Sequence, residues 1–169
     1  MAGSMDKAEY LTNLVTTYEE PLLRYARRLS RCGEDARDAV QEAFISFARQ
    51  TGKEVLNPSA WLYRATRNRC YDQARKRRRS VEQNMDDPGD PPDDRQSPER
   101  DADAADAAKL VRRQLDALAP RVREVVVLKL EHGKSYREIA EITNLSASNV
   151  GFILCQAMKQ LTAALEELR

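Results

Sequence analysis

Apolar residues recur at three- and four-residue steps along most of the chain, with one long interruption in the middle. Over residues 6–31, Leu11, Leu14, Val15 and Tyr18 form a stripe that Leu22, Tyr25, Ala26 and Leu29 continue past Pro21. That period predicts an amphipathic helix, kinked or broken at Pro21 because proline lacks the amide hydrogen a helix interior uses. Cys32 and Gly33 end it. Residues 34–50 predict a second helix with Ala36, Ala39, Val40, Ala43, Phe44 and Phe47 inward, leaving Asp38, Gln41, Glu42 and Ser46 on another face. Glu34 and Asp35 suit the positive end of its dipole. After a loop over residues 51–56, Asn57 and Pro58 supply a cap and a proline at the first helical position. The helix they open is expected to run to about residue 79, with Trp61, Leu62, Ala65 and Cys70 inward and Arg64, Arg67, Asn68, Tyr71 and Arg75 outward.

Residues 80–107 contain Pro88, Pro91, Pro92 and Pro98, many acids and almost no apolar bulk. Such a segment cannot bury enough surface to offset ordering, so a flexible linker is expected. Helical spacing resumes near Ala108 with Leu110, Val111, Gln114, Leu115 and Leu118. Pro120 starts another helix, with Val122, Val125, Val126, Leu128 and Leu130, and Gly133 ends it. Ser135 stands three residues ahead of Glu138, the spacing of a capping box. Ile139, Ala140 and Ile142 give the short helix an apolar face. Asn144 falls where a reversing chain needs left-handed backbone angles. Ser146 can cap a last helix whose Val150, Ile153, Leu154, Ala157, Leu161 and Leu165 face inward. The pattern predicts a helix-turn-helix whose second helix enters a DNA major groove; an ordinary helical hairpin is the plain alternative. The fold expected is all-α: two small helical domains, residues 5–79 and 108–169, joined by an acidic tether over residues 80–107.

Charge changes the picture once it is placed along the chain. The net charge of +1 is a cancellation. Residues 64–79 carry eight basic side chains against Asp72, and residues 82–106 carry ten acids against Arg95 and Arg100. Clustered cations reward phosphate contact by releasing counterions, which favours that role over a merely solvated run at residues 75–79. Cys32, Cys70 and Cys155 are far apart and form no metal-ligand spacing with the lone His132, so reduced, mostly packing cysteines are expected. No apolar run approaches membrane-span length and no signal peptide is visible. Residues 1–4 ahead of a second methionine read as a cloning remnant, with native residues expected from about Met5. No Gly-rich phosphate loop, nucleophile–base pair or metal cluster appears, so no enzyme activity, metal or cofactor is expected.

Two separated blocks resemble one family, the extracytoplasmic-function sigma factors of bacteria, which are two-domain promoter-recognition subunits of RNA polymerase. Residues 34–49, EDARDAVQEAFISFAR, are similar to its second conserved region. Residues 59–75, SAWLYRATRNRCYDQAR, resemble the helix that handles the minus-ten promoter element. Residues 115–161 resemble the domain for the minus-thirty-five element, down to Leu118-Ala119-Pro120-Arg121 before a Val-rich helix. The resemblance implies that Asp38, Gln41 and Glu42 bind a coiled coil of the polymerase's largest subunit. It implies minus-ten contacts from Lys53, Asn57, Arg64, Arg67, Asn68, Arg75 and Lys76, with a base captured at the loop holding Lys53 and Asn57 once the duplex melts. Trp61 is expected in the core rather than as a stacking platform. Core polymerase, promoter DNA and an anti-sigma regulator are the implied partners, and the cytoplasm the implied location.

The last helix departs from the family pattern. Typical members resemble Ser-Val-Gly-Thr-Val-Lys-Ser-Arg-Leu-His-Arg-Ala-Arg there, and the usual cationic positions have become Gly151, Ile153, Cys155, Gln156 and Met158, leaving Lys159. Ser148, Asn149 and Gln156 remain as readers of base edges, with Ser146 and Lys159 as further candidate contacts to the minus-thirty-five element, and Phe152 and Cys155 as contacts for thymine methyls or an apolar patch for a protein. Arg121, Arg123, Lys134 and Arg137 are the candidate phosphate anchors from neighbouring elements. Two other readings stay open at this point: a stand-alone helix-turn-helix regulator, and a sigma-like interaction module for regulatory proteins.

Overall fold

The computed structural model describes residues 6–30, 32–50, 55–83 and 102–166. Among them lie seven helices and no strand. The chain divides into two compact units, residues 1–93 and 94–169. The expected linker falls mostly on residues 84–101, outside the described residues; its ends are helical, since helices reach residue 83 and resume at residue 102.

The first unit packs α1 (Lys7–Leu29), α2 (Gly33–Ala48) and α3 (Pro58–Gln83) around one core. Leu22, Tyr25 and Ala26 of α1, Ala36, Ala39 and Ala43 of α2, and Ala60, Leu62 and Tyr63 of α3 are almost wholly buried. The alanines of α2 let its neighbours approach closely, and the Tyr25 and Tyr63 rings meet in a tilted pair 5.2 Å apart. Trp61 packs edge-on to Phe47 at 5.2 Å, at the margin of this core. Of the kink or break expected at Pro21, the break does not occur: α1 runs through it as one helix. A proline inside a helix costs about 3 kcal/mol, but burying Leu22 and Tyr25 directly after it returns about 1.5–3 kcal/mol each, so packing wins. Asn57 caps α3, its Oδ1 accepting the Ala60 amide at 3.0 Å. Helix α3 then runs four residues beyond the sequence expectation, along the basic stretch.

The second unit contains α4 (Ala102–Ala117), α5 (Pro120–Leu130), α6 (Tyr136–Thr143) and α7 (Ala147–Glu166). Helix α5 is the central element, buried from Glu124 through Leu128. Leu130, expected inward, is 59% exposed because α5 ends there; Gly133 then takes a left-handed φ of 61°. The Arg123 guanidinium donates to the carbonyls of Leu115 at 3.0 Å and Leu118 at 3.2 Å, and also to that of Asp116. Those carbonyls end α4, where a cation opposes the negative end of the helix dipole. The capping box is present: the Ser135 hydroxyl accepts the Glu138 amide at 3.1 Å and Glu138 accepts the Ser135 amide at 2.9 Å. Asn144 turns the chain with φ 57°, and its amide donates to the Ala140 carbonyl. The Ser146 hydroxyl then accepts the Asn149 amide at 3.1 Å, and α7 starts. Val150, Leu154 and Ala157 bury one side of α7 against α5 and α6.

Candidate nucleic-acid interface

On α2, Asp38 and Gln41 are exposed and Glu42 is half-buried. Their spacing of three and four residues stacks them on one face, opposite the buried Ala36, Val40 and Ala43. Glu42 is not a free acid. The Arg69 guanidinium of α3 pairs with it at 2.9 Å, with both side chains about half exposed.

Helix α3 carries the basic surface. Arg64, Asn68, Arg75 and Lys76 are exposed, and the Arg67 guanidinium lies 4.6 Å from the centroid of the Tyr71 ring. A planar cation held over an exposed aromatic ring is a surface on which an unstacked base can lie. Two more of the cations already hold acidic partners. Arg75 pairs with Asp72 at 2.6 Å, and Arg77 reaches Asp35 on α2 at 2.7 Å and the Cys32 Sγ at 3.7 Å. The contacts with Cys32 and Asp35 raise the Arg77 pKa. Arg64, Lys76, Arg78 and Arg79 have no ion-pair partner among the described residues. A cleft of about 890 Å³ opens along this helix, lined in part by Leu29, Asp35, Cys70, Gln73 and Arg77. Asn57 uses its Oδ1 as the helix cap. Lys53 lies outside the described residues.

In the second unit, Ser148, Asn149, Phe152, Gln156 and Lys159 share the exposed side of α7, with Phe152 63% exposed. Ser146 is exposed as well, but its hydroxyl oxygen serves as the cap. Cys155, a candidate contact on this helix alongside Phe152, is exposed on the same side. Of the four candidate phosphate anchors, Arg121 and Arg137 are exposed. The other two are excluded. Arg123 is committed to the end of α4, and Lys134 is buried, which lowers its pKa. Sequence reasoning missed one arrangement here. Gly151 has no side chain, and the Tyr136 ring from α6 lies against it: a Cβ on Gly151 would meet Tyr136 Cε2 at 3.4 Å. An isolated glycine inside a helix was the available signal, since such a residue commonly has a packing reason.

Comparison with known proteins agrees with this layout. Residues 14–80 match sigma-70 region 2, and residues 108–161 match sigma-70 region 4. The structure of the sigma factor RpoE in complex with the anti-sigma factor NepR from Bartonella quintana is similar in fold. Its TM-score is 0.73 and its identity 24%, over 94% of this chain and 98% of that one. The structure of CnrH in complex with the cytosolic domain of CnrY has a TM-score of 0.61 at 25% identity, over 93% of this chain and 88% of that one. No curated protein matches the chain. No helix among the described residues is long and apolar enough to cross a membrane. With regions 2 and 4 in order over most of its length, the chain belongs to the sigma-70 family and directs RNA polymerase to promoters.

Proposed function

We propose a division of labour among named residues. Asp38, Gln41 and Glu42 form the polymerase-binding face. Asn57, Arg64, Arg67, Asn68, Arg75 and Lys76 engage the minus-ten element, with Lys53 as a candidate from sequence alone. Ser146, Ser148, Asn149, Phe152, Gln156 and Lys159 meet the minus-thirty-five element, and Arg121 and Arg137 anchor that contact on phosphates. The observation that carries the reading is the first unit's pair of outward surfaces: an acid-and-amide face on α2 and a cationic face on α3 with Arg67 laid over Tyr71. One surface suits a protein groove. The other suits single-stranded DNA, where phosphates and unstacked bases are exposed together.

The chain itself performs no catalysis in this scheme; polymerase makes the bonds, and the cytoplasm, where polymerase works, is the location. Relatives of this fold are found with partner proteins, one of them an anti-sigma factor. We extend a regulator of that kind to this chain, and the exposed Phe152, Cys155 and Met158 support a protein contact on the second unit.

The test is binding to bacterial core polymerase by the full chain and by Asp38→Ala/Gln41→Ala. Both residues are exposed, so the variant folds normally, and its affinity for core falls at least tenfold. Equal affinity of variant and parent rejects the α2 assignment.

A further inference from the structure

The exposed side of α7 presents Ser148, Asn149, Phe152, Cys155 and Gln156, and its first three turns hold no cation; Lys159 comes in the fourth. A helix lying in a major groove about 12 Å wide has phosphates against its flanks, and contacts to them set its register. Something beside α7 has to meet them. On one flank, Gly151 sits between Ser148 and Cys155 at helical spacing, and it offers no side chain. The ring of Tyr136, 46% exposed, fills that place. The Lys129 ammonium of α5 lies 5.3 Å from the centre of the same ring. The ring therefore joins the end of α5 to the flank of the recognition helix.

The chemistry of Lys129 fits a phosphate. One of its three donors goes to the Lys134 carbonyl at 3.3 Å, which fixes the ammonium and leaves two donors. Of the other nearby cations, Lys134 is buried and Arg123 closes α4, while Arg121 and Arg137 are exposed and are the anchors already proposed. We infer that Lys129, held over the Tyr136 ring against Gly151, contacts a phosphate of the upstream promoter element and adds, on the flank where α7 has Gly151, a cation to the anchors Arg121 and Arg137. Tyr136 is its positioning residue. The inference rests on α7 being the helix that meets the upstream element, as proposed above.

The experiment uses holoenzyme reconstituted from core polymerase and the full chain, binding promoter DNA with an intact or a scrambled upstream element over a series of KCl concentrations. On the intact element, Lys129→Gln lowers the slope of log affinity against log salt by about 0.9, the share of one phosphate. Lys129→Arg restores it. Tyr136→Phe keeps the parental slope, because the ring remains, and Tyr136→Ala lowers it. A merely structural role for Lys129 would move the melting midpoint and leave the slope in place. An intact-element slope unchanged by Lys129→Gln overturns the inference alone. Equal binding of intact and scrambled elements by the parent chain overturns both the inference and the α7 assignment beneath it.

Discussion

Helices α3 and α7 each present one long exposed face from a small helical unit, and they are opposite in chemistry. Residues 64–79 of α3 carry eight cations, of which Arg64, Lys76, Arg78 and Arg79 have no ion-pair partner among the described residues. The exposed side of α7 carries one, Lys159, among amide, hydroxyl and apolar side chains. Phosphate contacts give affinity that salt erodes, and base-edge contacts give discrimination that salt largely spares. On the roles proposed above, the larger share of the salt dependence of promoter binding falls to the first unit. Arg121, Arg137 and Lys129 give the second unit its smaller share, and discrimination between duplex sequences falls to that second unit.

The strongest way to break this contrast is to strip α3. Replacing Arg64, Lys76, Arg78 and Arg79 together by Gln should weaken binding to forked minus-ten DNA on the order of a hundredfold or more at 0.1 M salt. The salt slope should drop by about 3, at roughly 0.7 per single-strand phosphate. Filter binding at several salt concentrations reads both. Asn149→Ala does the converse: it leaves the salt slope in place and costs about 1–3 kcal/mol of preference for the best upstream sequence, measured by competition between matched and mutated duplexes.

Smaller effects sharpen the boundary between the units. Ser135→Ala removes the hydroxyl that accepts the Glu138 amide, and a lost cap costs about 1 kcal/mol. Calorimetry should show the loss in the second unit's transition, with minus-ten binding unchanged. The smallest effect is a pH dependence. Burial lowers the Lys134 pKa below its ordinary 10.5, so the folded chain holds that proton less tightly than the unfolded chain. Stability should therefore rise with pH from the folded pKa up to 10.5 and stay level beyond. Comparing Lys134→Met with the parent in alkaline denaturant titrations should show that this increment is absent from the variant.

Local chemistry was legible in the residues. The Ser135 and Glu138 spacing, Asn144 at the reversal, Pro120 and Pro58 at helix starts, and Gly133 at a helix end each act within a turn of themselves, and each appears as read. Exposure of Asp38 and Gln41 followed from helical period alone. What escaped depends on residues far apart in sequence. Glu42 meets Arg69 and Asp35 meets Arg77 across 27 and 42 positions, so nothing local marks them as paired. Arg123 reads as a surface cation until α4 ends beside it. Pro21 carries a strong local signal for a kink or a break, and the neighbouring Leu22, Tyr25 and Ala26, fully buried, overrule the break. Tyr136 on Gly151 brings together two elements whose crossing no periodicity reveals.

The central claim is that one chain joins polymerase to two separate promoter elements. Initiation in vitro tests it most directly, with core polymerase, the full chain and a promoter library randomised over both elements, the transcripts being sequenced. The account predicts transcripts above core alone, from templates enriched at two separated blocks, with the upstream block's enrichment lost in Asn149→Ala. Transcription no greater than core alone, or enrichment at a single block, would contradict it.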